Sequence, residues 1–323
     1  MHIPDGFISP AVAGATGLVS VAALGIALGR YSQGESLPGT QNTFGTRRAP
    51  ILGLTTAFIF AAQMVNFPVA GGTSGHLLGG ALAAVVLGSP WAASICIATV
   101  LIIQAVLFAD GGITALGANI FNMGFIGVWV GWILTQTLHR LFGGSRGRLP
   151  LAAGIAAAVS VAVAAIAASI ELALSGTASL NIVLPAMTGI HILIGIGEGL
   201  ITGGVISYLA TVRPDLLPGE QGEFKGWVVP VVSILLVAGV LSLFASSFPD
   251  GLDWVSEQAG FDKLAENVRV SLPTPLADYE VPGLGKIGTS IAGLLGSGAC
   301  FGLAFGLASV MKNRDSRIGS NES

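Results

Sequence analysis

The sequence predicts an all-α integral membrane protein, a polytopic bundle with about seven helices in its first part and two C-terminal helices joined by an extracellular loop. Three observations support this prediction. Of the 323 residues, 52% are hydrophobic and the mean hydropathy is +0.80. Only 10% are charged, against about 25% in soluble domains. Apolar runs of about 20 residues, the length at which a helix crosses a bilayer, recur along the chain.

The first five predicted spans lie in the N-terminal half of the chain. No basic segment and no Ala-x-Ala cleavage motif accompanies the first span, so we expect no removable signal peptide. The third segment is short for a full crossing and is expected to be tilted or packed inside the bundle, after a glycine-rich hairpin at residues 68–75. The five predicted segments are Phe7–Leu28, Ile51–Phe67, Leu77–Leu87, Trp91–Ala109 and Ala115–Leu141.

Four more spans complete the chain and divide it into two domains. Residues 1–212 are predicted to form the first membrane domain, 213–226 a cytoplasmic linker, and 227–323 a second domain with two membrane helices. The loop 249–285 between those two helices is acidic and is a candidate to concentrate cations, or to pack over a metal site and gate its loading. The remaining spans are predicted at Leu151–Leu174, Met187–Val212, Trp227–Phe248 and Ile287–Met311.

The distribution of basic residues predicts the orientation of the bundle. Counted from the N-terminus, alternate loops carry 11 of the 14 Lys and Arg residues, and cytoplasmic loops are enriched in these residues. The N-terminus is therefore expected outside, together with the glycine-rich hairpin, and the C-terminus in the cytoplasm. The residues on the richer side are Arg30, Arg47, Arg48, Arg140, Arg146, Arg148, Arg213, Lys225, Lys312, Arg314 and Arg317.

The chain start carries the donor atoms of a metal chelate. Met1 offers its α-amine, and His2 offers its amide nitrogen and Nδ1, which close a five-membered and a six-membered ring around one ion. A fourth planar position remains, and His76 at the end of the hairpin is predicted on the same outer face. Planar nitrogen ligation suits Ni(II) or Cu(II), whereas Mg(II) and Ca(II) prefer oxygen. These ligands bind after losing protons, so the site is expected to fill as pH rises toward about 8.

The alternative is that His2 is an incidental residue on a frayed terminus. A turn at Pro4-Asp5-Gly6 is expected to fold the end back into the bundle instead, with Asp5 accepting hydrogen bonds from main-chain amides.

Other polar residues lie within or beside the apolar spans. His191 and Glu198 share one face of the seventh span and are candidates for a polar pair between helices or for a role near the metal, with Glu198 also a candidate contact for a partner protein. A metal-bound imidazole commonly donates its other nitrogen to a carboxylate or carbonyl. Four residues near the outer ends of the fourth and fifth spans are candidates for that partner: Gln104, Asp110, Asn119 and Asn122.

Two sets of glycines recur at every fourth position of a span. Small residues at this spacing allow helices to approach closely in a bilayer, although membrane helices are also simply rich in glycine. The sets are Gly195, Gly199 and Gly203 in the seventh span, and Gly298, Gly302 and Gly306 in the ninth.

Several motifs in residues 1–212 occur together in a fixed order. They are Met1–Phe7 (MHIPDGF), Gly72–Gly80 (GTSGHLLGG), Gln104–Gly112 (QAVLFADGG), Gly117–Asn119 with Asn122–Gly124, and His191–Glu198 (HILIGIGE). In this order they resemble the CbiM/NikM family, the metal-binding membrane subunits of nickel and cobalt energy-coupling-factor transporters. Further on, Phe248–Val255 resembles the PDGLE-type segment of the accessory subunit NikN, with Asp253 where the pattern usually has Glu. The whole chain is thus similar to a NikMN-type fusion.

The resemblance implies a transporter subunit rather than an enzyme. It implies square-planar coordination by the amine of Met1, the amide and imidazole nitrogens of His2 and the imidazole of His76. Ni(II) is the expected substrate, because such fusions are more typical of nickel systems, and Co(II) uptake for cobalamin synthesis is the alternative. The expected location is the prokaryotic inner membrane.

The resemblance also implies partners. These are a CbiQ/NikQ-like transmembrane coupling subunit and CbiO/NikO-like cytoplasmic ATPases. The lipid bilayer surrounds the membrane helices, and no nucleic acid partner is expected. The sequence contains no phosphate-binding Gly-x-x-x-x-Gly-Lys-Ser/Thr motif, so no bound nucleotide is expected here.

Two other functional classes stay open from sequence. A secondary permease driven by an ion gradient would use His191 and Glu198 as a relay. A structural subunit would contain no metal site at all. An intramembrane metalloprotease is disfavoured, because the sequence has no His-Glu-x-x-His motif.

Overall fold

The computed structural model describes residues 1–34, 47–217, 225–267 and 274–319, and these are mostly helical. The predicted all-α membrane bundle is confirmed: among the described residues, six helical segments are long and apolar enough to cross a membrane. The helices are α1 (Pro10–Ser32), α2 (Arg48–Gln63), α3 (Gly80–Leu87), α4 (Pro90–Ile103), α5 (Leu116–Asn119), α6 (Val128–Leu141), α7 (Leu149–Leu174), α8 (Leu180–Val212), α9 (Val228–Gly239), α10 (Gly251–Ala259) and α11 (Gly285–Gly319).

Some predicted segments lie partly outside the described residues. These are the linker 213–226, the acidic loop 249–285 and the end of the second domain, and residues 35–46 between the first two spans also lie outside. The domain boundaries at 212 and 227 stay a prediction.

Large apolar side chains face outward from the long helices. Leu18 and Val21 on α1 are 75% and 71% exposed, and Leu200 on α8 is 74% exposed. A soluble protein rarely leaves so much apolar surface open, whereas lipid covers it without cost. The chain is therefore a multi-pass membrane protein.

The helices α7 and α8 form the most extensive helix pair, and glycines set their separation. A Cβ added at Gly195 would lie 2.6 Å from the carbonyl oxygen of Ala158, and one at Gly199 would lie 2.6 Å from that of Gly154. The prediction of close packing along the first glycine set is confirmed. The second set differs, since a Cβ would meet no described atom within 4 Å at Gly298, Gly302 or Gly306.

The short helix α3 lies inside the bundle, as expected for the third segment. It packs against α4 and α6, and residues such as Ala81 and Ala83 have no exposed surface. Gly79 and Gly88, with φ of 78° and 65°, begin and end it in the left-handed conformation that glycine adopts without strain.

Several predicted spans have different limits in the structure. The second was predicted to reach Phe67, but α2 ends at Gln63 and Phe67 lies in β1. The seventh was predicted to begin at Met187, but α8 begins at Leu180 and continues through Pro185. The eighth was predicted as Trp227–Phe248, but α9 ends at Gly239 and only a 3₁₀ turn follows, Leu241–Phe244. The chain leaves the helix early because residues 246–249 pair with the hairpin near His76, where Ser246 N donates to Asn66 O at 2.8 Å.

The elements that shape one end of the bundle are irregular. The hairpin consists of β1 (Phe67–Pro68) and β2 (Ser74–Gly75), which pair antiparallel. Two π-helical segments occur here: Gln104–Phe108 follows α4, and Ile120–Gly127 joins α5 to α6. Such segments interrupt regular helices and are frequent at functional sites.

Candidate metal centre

The chain start is buried at this end of the bundle. Met1 and Ile3 are only 3% and 0% exposed. The main chain turns at Gly6, whose φ is 90°, and Phe7 N bonds to Pro4 O. Asp5 accepts hydrogen bonds from the amide, at 2.8 Å, and the hydroxyl of Thr114. The prediction that this turn folds the terminus inward is confirmed.

A main-chain clamp, formed by Asn119 and Gly112, holds Ile3. Asn119 Oδ1 accepts from Ile3 N at 2.8 Å, and its Nδ2 donates to Ile3 O at 3.0 Å. Gly112 N donates to the same carbonyl at 2.8 Å. A Cβ at Gly112 would lie 2.3 Å from Asp5 N, so only glycine fits there. The clamp satisfies both main-chain groups of Ile3 and so fixes the direction in which Met1 and His2 point.

The segment after the hairpin is positioned from α8. Glu198 accepts from Leu78 N at 2.7 Å and from Gly79 N at 3.0 Å. Gly75 packs so closely on Ile194 that an added Cβ would lie 2.7 Å from it. These contacts fix the backbone on either side of His76.

The tautomer of His76 follows from its hydrogen bond. Its Nδ1 lies 3.0 Å from Leu77 O, and a carbonyl oxygen only accepts, so Nδ1 carries the proton. Nε2 then has a free lone pair, and it lies 3.2 Å from the amine of Met1. Burial, and next the charged amine, lower the pKa of His76, which favours the neutral form that binds metals.

The imidazole of His2 stacks on that of His76, with ring centroids 5.0 Å apart and an interplanar angle of 13°. His2 Nδ1 lies 3.0 Å from Asp110 Oδ1. Its Nε2 is buried without a hydrogen-bond partner among the described residues. The structure thus brings the three predicted residues Met1, His2 and His76 together, while their role as metal ligands stays a prediction.

A fourth group, Asp250, comes from the C-terminal part of the chain. Its Oδ2 accepts from the Met1 amine and lies 3.6 Å from His76 Nε2. Its Oδ1 caps α10 by accepting from Leu252 N at 2.8 Å. Each of His2, His76 and Asp250 offers one possible ligand atom, and these atoms lie within 4.8 Å of one another.

The segment before Asp250 is bound to the hairpin. Ser74 N donates to Pro249 O at 2.8 Å, and Ser74 Oγ donates to Phe248 O at 2.7 Å. Sequence reasoning placed Asp250 in the PDGLE-type segment of an acidic loop that was a candidate to pack over a metal site, but it did not identify Asp250 as a neighbour of the metal ligands. The available signal was the Pro-Asp-Gly string ahead of a helix, which is typical of an N-cap and therefore of a fixed carboxylate.

The two carboxylates at the site are ionised at neutral pH. Burial alone would raise the pKa of Asp250, but the charged Met1 amine outweighs it and lowers that pKa well below its usual value. Burial likewise opposes ionisation of Asp110, and His2 together with the Tyr279 hydroxyl lowers its pKa. Negative charge therefore faces the nitrogen donors from two sides.

The four candidates for an imidazole partner have different roles. Asp110 contacts His2, and Asn119 holds the main chain of Ile3. Gln104 Nε2 donates to the hydroxyl of Tyr279 at 3.0 Å, and Asn122 Nδ2 donates to Glu171 at 2.7 Å. Sequence reasoning did not find Tyr279, which no motif marks.

His191 and Glu198 do not bond to each other, contrary to the expectation of a pair. His191 Nδ1 bonds to Met187 O at 2.8 Å within its own helix. Its ring packs under the start of α10, where a Cβ on Gly251 would lie 2.9 Å from Cε1. Both oxygens of Glu198 accept hydrogen bonds from main-chain amides of the segment after His76, so this carboxylate holds the backbone beside the site in place.

Comparison with protein families gives two matches. The family model described as the cobalt uptake substrate-specific transmembrane region, CbiM, matches residues 2–216. The PDGLE domain matches residues 225–313.

Similar proteins are named as metal transport proteins. One from Archaeoglobus fulgidus, whose name describes a fused nickel transport protein NikMN, is 38% identical over 95% of this chain and 98% of its own length. The fused nickel transport protein NikMN of Rhodobacter capsulatus is 34% identical over 75% of this chain and 70% of its own. The cobalt transport protein CbiM of Sorangium cellulosum is 33% identical over 53% and 77%.

A solved structure supports the same comparison. A crystal structure of a transition metal transporter is 37% identical and matches with a TM-score of 0.57, covering 66% of this chain and 93% of that one.

Proposed function

Because the chain belongs to the CbiM family of cobalt uptake substrate-specific transmembrane proteins, with a PDGLE domain behind it, it is a nickel or cobalt transport component, and we propose that it captures Ni(II). The proposed ligands are the Met1 amine, the amide nitrogen and Nδ1 of His2, and Nε2 of His76. The observation that carries this proposal is the buried contact of 3.2 Å between the Met1 amine and His76 Nε2.

The preference for nickel rests on donor chemistry and on relatives. Four nitrogens in a plane suit Ni(II), and Co(II) lies below it in the order of affinities. The relative that matches nearly the whole chain is named for nickel, as is the fused relative from Rhodobacter capsulatus. Uptake of Co(II) by the same ligands is the alternative substrate.

Loading requires two contacts of the structure to break. His2 Nδ1 now lies against the ionised carboxylate of Asp110 and not against the Met1–His76 pair. A carboxylate only accepts, so Nδ1 carries a proton, and it must leave Asp110 and give up this proton, to solvent or to its own Nε2 in the other tautomer, to complete the chelate. The amine must likewise leave the Asp250 carboxylate and lose a proton. The clamp on Ile3 keeps the terminus in place while this happens.

The energy for uptake would come from partner proteins. We propose a transmembrane coupling subunit and cytoplasmic ATPases of the energy-coupling-factor type, with the N-terminus outside and the C-terminus in the cytoplasm of a prokaryotic inner membrane. The geometry does not favour a gradient-driven relay through His191 and Glu198, because each bonds to main-chain groups and not to the other.

The test has a binding part and a transport part. The full-length chain, purified with its native N-terminus, is expected to contain about one nickel and to give the yellow diamagnetic spectrum of planar Ni(II). Uptake in cells is expected to require the partner ATPases and to survive an uncoupler while ATP is maintained. A metal-free protein after nickel exposure, or uptake that the uncoupler abolishes, would contradict the proposal.

A further inference from the structure

Among the described residues, three that are not glycine have a positive φ, and all three lie at one contact. They are Ala109 (56°), Asp278 (55°) and Tyr279 (57°). The first follows the π-helical end of α4, and the other two belong to the loop before α11. Residues other than glycine rarely adopt a positive φ unless their surroundings impose it, and such residues cluster at functional sites.

The contact between these two segments is well supported. The ring of Tyr279 stacks on that of Phe108, with centroids 4.7 Å apart at 23°. Leu276 N donates to Leu107 O at 3.0 Å. Gln104 Nε2 donates to the Tyr279 hydroxyl at 3.0 Å, so the oxygen is held from both sides. The tyrosine is therefore placed by its ring, its backbone and its hydroxyl.

The hydroxyl of Tyr279 reaches the proposed metal site through one carboxylate. It donates to Asp110 Oδ2, while Asp110 Oδ1 lies 3.0 Å from His2 Nδ1. His2 Nδ1 is the atom that closes the six-membered chelate ring. While Asp110 holds that atom, the chelate cannot close.

We propose that Tyr279 is a positioning residue that acts through Asp110 as a latch on His2. It keeps His2 Nδ1 engaged in the empty site, and nickel loading requires the latch to open. This inference rests on the proposed function and adds a means by which the C-terminal segment sets the rate of loading. By linkage, a bound ion weakens the latch to the same degree that the latch weakens binding.

The sharpest variant is Tyr279→Phe. It keeps the ring on Phe108 but removes the donor to Asp110. The Asp110 side chain is 27% exposed, so once the tyrosine donor is gone water can solvate its carboxylate, which moves away from His2. We expect nickel to load roughly three- to tenfold faster and to bind tighter by a similar factor, the size of effect that the net contribution of one typical hydrogen bond supports.

The measurement is stopped-flow absorbance of the planar Ni(II) species in the full-length protein with its native N-terminus. Tyr208→Phe is the matched control, since that tyrosine is 46% exposed on α8 and is expected to leave loading unchanged. A second background separates a latch from a general effect on stability. In the Asp110→Ala background, adding Tyr279→Phe should not change the loading rate further, because the proposed latch connects the Tyr279 hydroxyl to His2 through Asp110.

The opposite results overturn the latch. The latch is refuted if the Tyr279→Phe variant loads nickel at the wild-type rate or more slowly. It is also refuted if Tyr279→Phe speeds loading as much in the Asp110→Ala background as it does in the wild type. If the wild-type chain binds no nickel, the proposed function fails, and the latch is then decided on the empty protein. Nitrogen-15 NMR of His2, assigned through its loss in His2→Ala, should show a hydrogen-bonded Nδ1 in the wild type and its release in Tyr279→Phe. An identical His2 signal in both proteins would refute the latch.

Discussion

The region before residue 213 and the region after residue 227 both reach the Met1–His2–His76 cluster, but they contact different atoms of it. The first region holds main-chain atoms, through Asn119 on Ile3 and Glu198 on the segment after His76. The second brings the Asp250 carboxylate onto the Met1 amine and holds Asp110 on His2 through Tyr279.

This difference separates the contacts that position the donor atoms from the contacts that compete with the ion for them. Main-chain bonds fix where the donors are and need not break when an ion enters. The carboxylate contacts use donor atoms themselves, so they compete with the ion. Variants in the first region are therefore expected to remove binding, whereas variants in the second are expected to adjust it.

The largest effect is expected from His76→Ala, which removes a ligand. Nickel affinity should fall by more than about a hundredfold, because even groups that only orient a ligand account for about 10–100-fold. Competition against a coloured chelator measures the loss. His139→Ala is the control, because that histidine lies exposed near Ser145 at the end of α6, outside the cluster. Equal affinity of the His76 and His139 variants would contradict the assignment.

A smaller loss, about 10–100-fold, is expected from Asn119→Ala, which removes both hydrogen bonds to the buried Ile3 and frees the terminus. Asn119→Asp keeps the acceptor for Ile3 N and should lie between this variant and the wild type. The same competition assay applies. Wild-type affinity in Asn119→Ala would show that the clamp does not position the site.

Asp250→Asn should change nickel affinity by less than about tenfold, because asparagine also caps a helix and the four proposed ligands remain. The planar absorption spectrum should persist. A loss as large as that of His76→Ala, or a change to a six-coordinate spectrum, would instead make Asp250 a ligand.

The number of protons released when nickel binds gives the last and smallest test of the proposed ligands. At pH 7 the His2 amide should release one proton for each nickel that binds, because an amide nitrogen binds a metal only after it has lost its proton. The lowered pKa values of Asp110, Asp250 and His76 mean that these groups hold no proton to release. Affinity should therefore rise with pH in this range. Calorimetry in buffers of different ionisation enthalpy measures the number, and release of fewer than one proton for each nickel would exclude the amide as a ligand.

Much of the fold is predictable because a bilayer demands long apolar segments. That rule located the long spans, and glycine spacing predicted how closely α7 and α8 pack. The same spacing in α11 has no packing partner within the described residues, since spacing shows what a helix permits and not what lies against it. The early end of α9 was not predictable, because its cause is a distant pairing of residues 246–249 with the hairpin.

The site divides in the same way. The chelating atoms of Met1 and His2 are adjacent in sequence, and loop charges predicted that His76 lies on the same side of the membrane. The structure brings His76 Nε2 within 3.2 Å of the Met1 amine, while the outer location of this side stays a prediction. Asp250 and Tyr279 lie 249 and 169 residues from the groups that they contact, Met1 and Asp110. Such contacts depend on how a loop packs, for which the sequence carries no periodic signal.

The most direct measurement concerns the free chain start. Nickel binding is compared between the native chain and one with a single glycine added before Met1, both purified at full length and titrated under the same conditions. The added residue moves the amine out of the five-membered ring and away from His76 Nε2. The account predicts tight planar binding by the native chain and none by the extended chain, and equal binding by both would contradict it.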